Sequence, residues 1–175
     1  NRGKDSVVAD LTQAADSALF EALMAKADVL IQNLKPGAIA KLGYPLEALR
    51  AKNPRLITCS ISGYGEDGPY SDRKAYDLLI QAESGLSSVT GGPEAPARVG
   101  VSVVDIGTSM HAYEAILEAL IGRGVTGKGC GIAVSMFDSM MEWMTVPLLF
   151  GEYGRPPKRQ GLTHPTLAPY GVFTS

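Results

Sequence analysis

The stretch Arg55-Leu56-Ile57-Thr58-Cys59-Ser60-Ile61 constrains the fold more than any other feature of the chain. As an extended segment it presents apolar residues on both faces, so both faces must be buried. Strands of that kind belong inside a parallel sheet with helices over each side, and the flanking sequence supplies the helices. Leu19, Phe20, Leu23 and Met24 share one face of a helix expected from about Ala14 to Lys26. Val7-Val8-Ala9 precedes it as a first strand-like run, and Asp28-Val29-Leu30-Ile31 follows as the next strand, ending at Asn33. Lys35-Pro36-Gly37 opens a short helix, because proline is tolerated where the first-turn N–H has no intrahelical partner. Pro45 to Lys52 is a second short helix before the central strand. Strands alternating with helices define an α/β fold with a Rossmann-like parallel sheet and flanking helices.

The second half continues the alternation. A helix is expected from about Tyr76 to Ser84, between the turn-rich Ser62–Pro69 and Thr90–Pro93. After the apolar Val99–Val104 comes the longest helix, from about Asp105 to Ile121. Ile106, Met110, Tyr113, Ile116, Leu117, Leu120 and Ile121 mark its apolar face, with His111, Glu114 and Glu118 on a solvated one. Gly122 to Gly129 reads as a loop, Ile132–Ser135 as a strand and Phe137 to Phe150 as a final helix. Met136, Met140, Met141 and Met144 fall at helical spacing and read as core filling. Gly151 to Gly161 reads as a linker.

Composition narrows the function classes. With 16 basic and 18 acidic residues in 175, the net charge is −2, which leaves no electrostatic footprint for nucleic acid or an anionic membrane. No apolar run reaches the roughly 20 residues of a membrane span. Cys59 and Cys130 sit on apolar strand-like segments and read as buried reduced thiols, which favours a cytoplasmic setting. His111 and His164 have no paired cysteine nearby, so no metal site is expected. Gly122-Arg123-Gly124-Val125-Thr126-Gly127-Lys128 matches the first seven positions of a phosphate-binding loop. Its eighth position should hold a magnesium-binding hydroxyl and is Gly129, and a helix precedes it where a strand should, so it reads as a turn.

Asp105 stands out because it follows an apolar run and opens the longest helix. Two readings apply: a capping residue, worth about 1 kcal/mol, or a carboxylate kept ionised by helix N–H groups and available as a nucleophile toward an activated acyl compound.

Several segments, in order, resemble the family III CoA-transferases, the CaiB/BaiF family that includes formyl-CoA transferase and carnitine CoA-transferase. They are Asn1-Arg2-Gly3-Lys4-Asp5-Ser6, Ala27–Gly37, Asn53–Ile57, Ser62–Tyr70, Tyr76–Ala82 with Ser84-Gly85-Leu86 and Val89-Thr90-Gly91, Asp105 with its helix, Thr126–Gly129, and Ser135-Met136-Phe137-Asp138. The resemblance implies that Asp105 attacks an acyl-CoA thioester and passes CoA to a carboxylic acid through mixed-anhydride and aspartyl-CoA thioester intermediates. It implies that Asn33, Leu34 and Lys35 line a coenzyme A pocket, that Lys41 lies near the nucleotide phosphates, and that Lys74, Ala75, Tyr76 and Asp77 lie near the pantetheine arm. Asp10, Leu11 and Thr12 match another CoA-contacting stretch, in which the family often has lysine where this chain has Thr12. It implies an interlocked homodimer; that no metal, nucleic acid or membrane partner is expected rests on the composition described above. Residues 1–150 are then the central part of the CoA-binding large domain, and 151–175 lead toward a smaller domain. The first strand–helix unit is expected to be missing, and this piece alone to be inactive.

Two alternatives accompany that expectation. The same fold hosts 2-methylacyl-CoA racemases, which pair the aspartate with a histidine where this chain has Tyr76; an unperturbed tyrosine, with a pKa of about 10, is a poor base near neutral pH. The other is a CoA-binding piece that turns nothing over. The segments Phe137–Met144 and Thr163–Gly171 look most like those of members acting on short dicarboxylates such as succinate, mesaconate, itaconate or citramalate.

Overall fold

A computed structural model describes residues 3–174; Asn1, Arg2 and Ser175 of the segments named above lie outside the described residues. The elements run β1 (Val29–Gln32), β2 (Ile57–Ser62) and β3 (Gly131–Ser135), with helices α1 (Ala14–Met24), α2 (Ala38–Lys41), α3 (Leu46–Lys52), α4 (Asp77–Glu83), α5 (Leu86–Val89), α6 (Val103–Thr126), α7 (Met136–Trp143) and α8 (Thr145–Glu152). The sheet order is β1-β2-β3, and β1 pairs parallel to β2 with Val29 opposite Ile57 and Gln32 opposite Ser60. This is the α/β class expected from the apolar pattern. Ile57, Thr58, Cys59 and Ser60 are all buried, as a central strand requires. The buried Thr58 hydroxyl accepts a hydrogen bond from the Arg50 guanidinium, which also pairs with Glu47.

The chain divides into two compact units, Asn1–Ser60 with Ala115–Ile132, and Ile61–Glu114 with Ala133–Ser175. In the first, Ile39, Tyr44, Leu49 and Leu56 form a core against which Leu11, Phe20, Met24 and Leu30 pack. Phe20 meets Tyr44 edge-on with ring centroids 4.6 Å apart. Asn53 joins the ends of two helices here, donating to the carbonyls of Met24 and Ala27. In the second unit Ile80, Val104 and Met140 form the core, with Tyr64, Ala75, Leu86, Met136 and Phe137 around it. Met140 and Met144 are buried, as core filling predicts.

Several expectations are corrected. Val7-Val8-Ala9 is not a strand; these residues are irregular and Val8 is 95% exposed, since hydrophobicity alone supplies no pairing partner. On α1 only Phe20 and Met24 of the apolar set pack into the core, and Leu19 and Leu23 stay exposed. The expected final helix is two, α7 and α8, separated at Met144. Pro147 accounts for the break: it cannot donate to the carbonyl of Trp143 and its ring would crowd that carbonyl, whereas it fits in the first turn of a new helix. The expected loop after Ile121 is helical to Thr126, ending where Gly127 turns into the left-handed region at φ 72°.

The face of α6 also differs. Val104, Thr108, Ala112 and Ile116 are its buried stripe, at four-residue spacing, while Ile106, Met110, Tyr113, Leu117 and Ile121 are exposed. Small side chains let neighbouring elements approach closely, so the buried face is the one that fits and not the one with the larger apolar residues. His111 is half-buried beside Glu142, 3.5 Å away, and is not on a solvated face. Cys59 is buried as expected, but Cys130 is exposed, because it lies just before β3 and not within it. Among the described residues no helix is long and apolar enough to cross a membrane.

Candidate active site

Asp105 is the third residue of α6, because Val103 and Val104 already lie in the helix. It therefore does not cap the helix from outside. Asp77, the first residue of α4, takes that role: its Oδ2 accepts the backbone N–H of Val104 at 2.8 Å and that of Asp105 at 3.4 Å. The other oxygen of Asp77 accepts a 2.6 Å hydrogen bond from Gln81 Nε2, one helical turn on. Gln81 is completely buried and its own Oε1 accepts the N–H of Val99, at 2.8 Å, so it ties α4 to the segment leading into α6. Sequence reasoning missed Gln81. Its signal was the four-residue spacing Asp77–Gln81 on a short helix, where a buried amide satisfies both a carboxylate and a backbone donor.

The Asp105 side chain is exposed, and among the described residues its carboxyl oxygens accept no hydrogen bond. Partial burial raises its pKa above the ordinary 3.8, and the Asp77 carboxylate raises it further. This corrects the expectation of a carboxylate favoured in its charged form: the N–H groups that would have stabilised the anion are already given to Asp77. The result is an accessible carboxylate that is more basic than usual. Basicity raises the intrinsic reactivity of an oxygen nucleophile.

The approach to α4 is held by close packing. Gly63 lies against Ala75 so tightly that a Cβ there would fall 2.2 Å from the Ala75 Cβ. The Gly63 carbonyl in turn accepts the N–H of Phe137 at 2.9 Å. Arg73 lies over the ring of Tyr70, 3.7 Å from its centre, and faces Glu83 at 3.7 Å. Lys74 and Tyr76 follow this clamp and are exposed, Tyr76 by 66%. The second unit thus brings Asp77 and Asp105 together, and Lys74, Ala75 and Tyr76 are the residues that lead into α4.

The remaining residues lie in the first unit. Asn33, Leu34 and Lys35 follow the carboxyl end of β1 and are exposed. Gln32 shapes this turn: its Oε1 accepts the N–H of Leu34 at 2.7 Å and its Nε2 donates to Ser60 Oγ at 2.7 Å. Gly37, at φ 76°, then opens α2, which ends in the exposed Lys41. Asp10 accepts both the N–H and the hydroxyl of Thr12, at 3.0 and 2.7 Å, and the Thr12 hydroxyl is the main cause of a lowered Asp10 pKa. That Asx turn leads into α1, while Leu11 packs against the core.

All 175 residues match the sequence model of CoA-transferase family III. The chain belongs to that family. It is 42% identical over 176 residues to the acetyl-CoA:oxalate CoA-transferase of Acetobacter aceti, covering 99% of this chain and 45% of that protein. It is also 42% identical over 176 residues to the succinate–glutarate CoA-transferase of Agrobacterium fabrum, covering 98% and 44%. The crystal structure of a CaiB/BaiF family protein from Brucella suis superimposes with a TM-score of 0.92 at 41% identity, covering 99% of this chain and 47% of that one. This family III chain thus spans less than half the length of these relatives.

Proposed function

We propose that this chain supplies the nucleophile and part of the coenzyme A site of a CoA-transferase. The observation that carries the reading is Asp105: an accessible carboxylate of raised basicity, with no hydrogen bond to its oxygens among the described residues, in a family III chain. In the proposed sequence Asp105 attacks the thioester carbonyl of the donor. A carbon–oxygen bond forms, the carbon–sulfur bond breaks, and the electron pair leaves with sulfur as CoA thiolate. The thiolate attacks the aspartyl carbonyl of the mixed anhydride, releasing the donor acid as its carboxylate and leaving an aspartyl-CoA thioester. The acceptor carboxylate attacks that thioester to give a second anhydride and free thiolate. Attack of thiolate on the acceptor carbonyl yields the new acyl-CoA and restores the Asp105 carboxylate.

Asn33, Leu34 and Lys35 are proposed to line the CoA pocket, beyond the carboxyl end of β1, where open α/β sheets bind ligands. Lys41 is proposed to face the nucleotide phosphates, Asp10, Leu11 and Thr12 to add a further contact, and Lys74 to Asp77 to flank the pantetheine arm. The proposed acceptor is a short dicarboxylate, supported by the oxalate, succinate and glutarate named for the two relatives.

The test is mass spectrometry of the complete natural polypeptide incubated with succinyl-CoA and no acceptor. An acyl or CoA adduct on the peptide containing Asp105 is expected, and Asp105→Ala should abolish it while leaving CoA affinity nearly intact. Adducts confined to another residue would sink the assignment. So would exchange of the α-proton of 2-methylacyl-CoA in deuterated solvent without any acceptor acid, which is the racemase outcome.

A further inference from the structure

We infer that Asp77 is a positioning residue for Asp105, capping the first turn of α6 and holding a fixed negative charge beside the nucleophile so that the acylated forms of Asp105 are favoured over its free carboxylate. The inference rests on the reading that Asp105 becomes acylated. Its geometry is specific. Asp77 Oδ2 bonds the N–H groups of Val104 and of Asp105 itself, at 2.8 and 3.4 Å, so one carboxylate is pinned against the turn that carries the other. Gln81, fully buried and held by Val99, fixes the second oxygen at 2.6 Å. With both oxygens hydrogen-bonded inside the protein, the Asp77 carboxylate is held fixed beside Asp105.

The charged surroundings support this assignment. From α4 the charge acting on Asp105 is Asp77. His111, nearly two turns further along α6, faces Glu142 of α7 at 3.5 Å. Lys74 and Tyr76 precede Asp77 in the chain and are exposed. Two carboxylates meeting at the first turn of α6, Asp77 from α4 and Asp105 of α6 itself, repel while both are ionised. Attack on the thioester converts the Asp105 carboxylate into a neutral anhydride and moves its charge onto the departing sulfur. The repulsion with Asp77 exists only before that step and is restored when Asp105 is released, so it favours the covalent states. An N-terminal cap made by a neutral residue could accept the same N–H groups of α6 but would not supply this bias.

The first variant is Asp77→Asn, in which the side-chain carbonyl can still cap α6 while the amide nitrogen no longer accepts from Gln81. In the complete polypeptide without CoA, ¹³C NMR titration of the Asp105 carboxyl should move to lower pH than in the unsubstituted protein. At equal acyl-CoA and without acceptor, the fraction of protein carrying the Asp105 adduct should fall. As a second measurement that needs no variant, raising the salt concentration should lower the titration midpoint of Asp105 in the unsubstituted protein by screening Asp77. An Asp105 titration unmoved by both Asp77→Asn and salt, with the adduct fraction unchanged, overturns this inference and leaves the transferase reading standing. No adduct on Asp105 in the unsubstituted protein overturns both.

Discussion

Gly129 is where the chain is least able to accept a side chain. A Cβ built on it would lie 2.1 Å from the carbonyl oxygen of Leu56, 2.5 Å from the carbonyl carbon and 2.7 Å from the Arg55 oxygen. All of these are backbone atoms, and Leu56 is fully buried, so no side chain can rotate away to relieve the clash. The strand entering β3 would have to move off β2. That movement endangers the Gly129 N–H to Pro54 carbonyl bond at 2.9 Å and the Thr58 N–H to Cys130 carbonyl bond at 3.0 Å. Overpacking costs about 1–3 kcal/mol, and two hydrogen bonds at about 1 kcal/mol each bring the loss for Gly129→Ala to about 3–5 kcal/mol. For a chain of this size that is a fall of roughly 6–20 °C in melting temperature.

The matched comparison is Gly122→Ala or Gly124→Ala. Both positions are inside α6, neither has positive φ, and a Cβ at either meets nothing within 4 Å. Each should gain about 0.5–1 kcal/mol, because alanine loses less backbone freedom on folding than glycine. Thermal and urea unfolding of the variants measure both effects. Gly129→Ala within about 0.5 kcal/mol of the parent would refute the close approach of β2 and the entry to β3. The same contact explains why the phosphate-loop pattern fails here: the serine or threonine it demands at this position has a Cβ, for which there is no room.

Two further predictions concern protonation and exposure. Because the folded-state pKa of Asp105 is raised, the penalty for ionising it is absent below the ordinary 3.8 and grows as pH rises through the folded value. Asp105→Asn should therefore raise the stability at neutral pH, by at most about 1 kcal/mol for so exposed a group, with the gain vanishing in acid; a loss of stability at neutral pH in thermal unfolding would contradict the raised pKa of Asp105. Cys130 should react with an alkylating reagent in the native protein while Cys59 resists until unfolding, since burial both shields Cys59 and raises its thiol pKa. Equal labelling of the two, followed by mass spectrometry of the peptides, would contradict the burial of β2.

Where local pattern decides structure, sequence and fold agree. The central strand at Ile57–Ser62 is legible because no other arrangement buries both faces of Leu56 to Ile61. The short helix α3 follows from Pro45, and the Lys35-Pro36-Gly37 turn from its proline and a left-handed glycine. What was not legible depends on partners distant in sequence. Val7–Ala9 has strand-like residues and no strand beside it. The buried face of α6 is chosen by how closely Val104 can approach Ile80 and Met140, and a count of apolar residues ranks the opposite stripe higher. Pro147 was visible, and its meaning was legible too: a helix running from Phe137 to Phe150 would have placed it in the interior, where it costs about 3 kcal/mol or more.

The site follows the same division, and Asp105 shows why. Its position at the start of a long helix was evident, which made a cap and a nucleophile competing explanations. They separate only once Asp77 is seen to cap α6 across 28 residues of sequence, from the first turn of a different helix. With the cap supplied by Asp77, Asp105 is left with no hydrogen bond to its oxygens among the described residues and with a like charge beside it. Neither circumstance stabilises the fold, and a chain selected for stability alone would remove both by placing a neutral residue at 105. A side chain that costs stability, is accessible to a ligand and is braced by the buried Gln81 through Asp77 fits a chemical role better than a structural one.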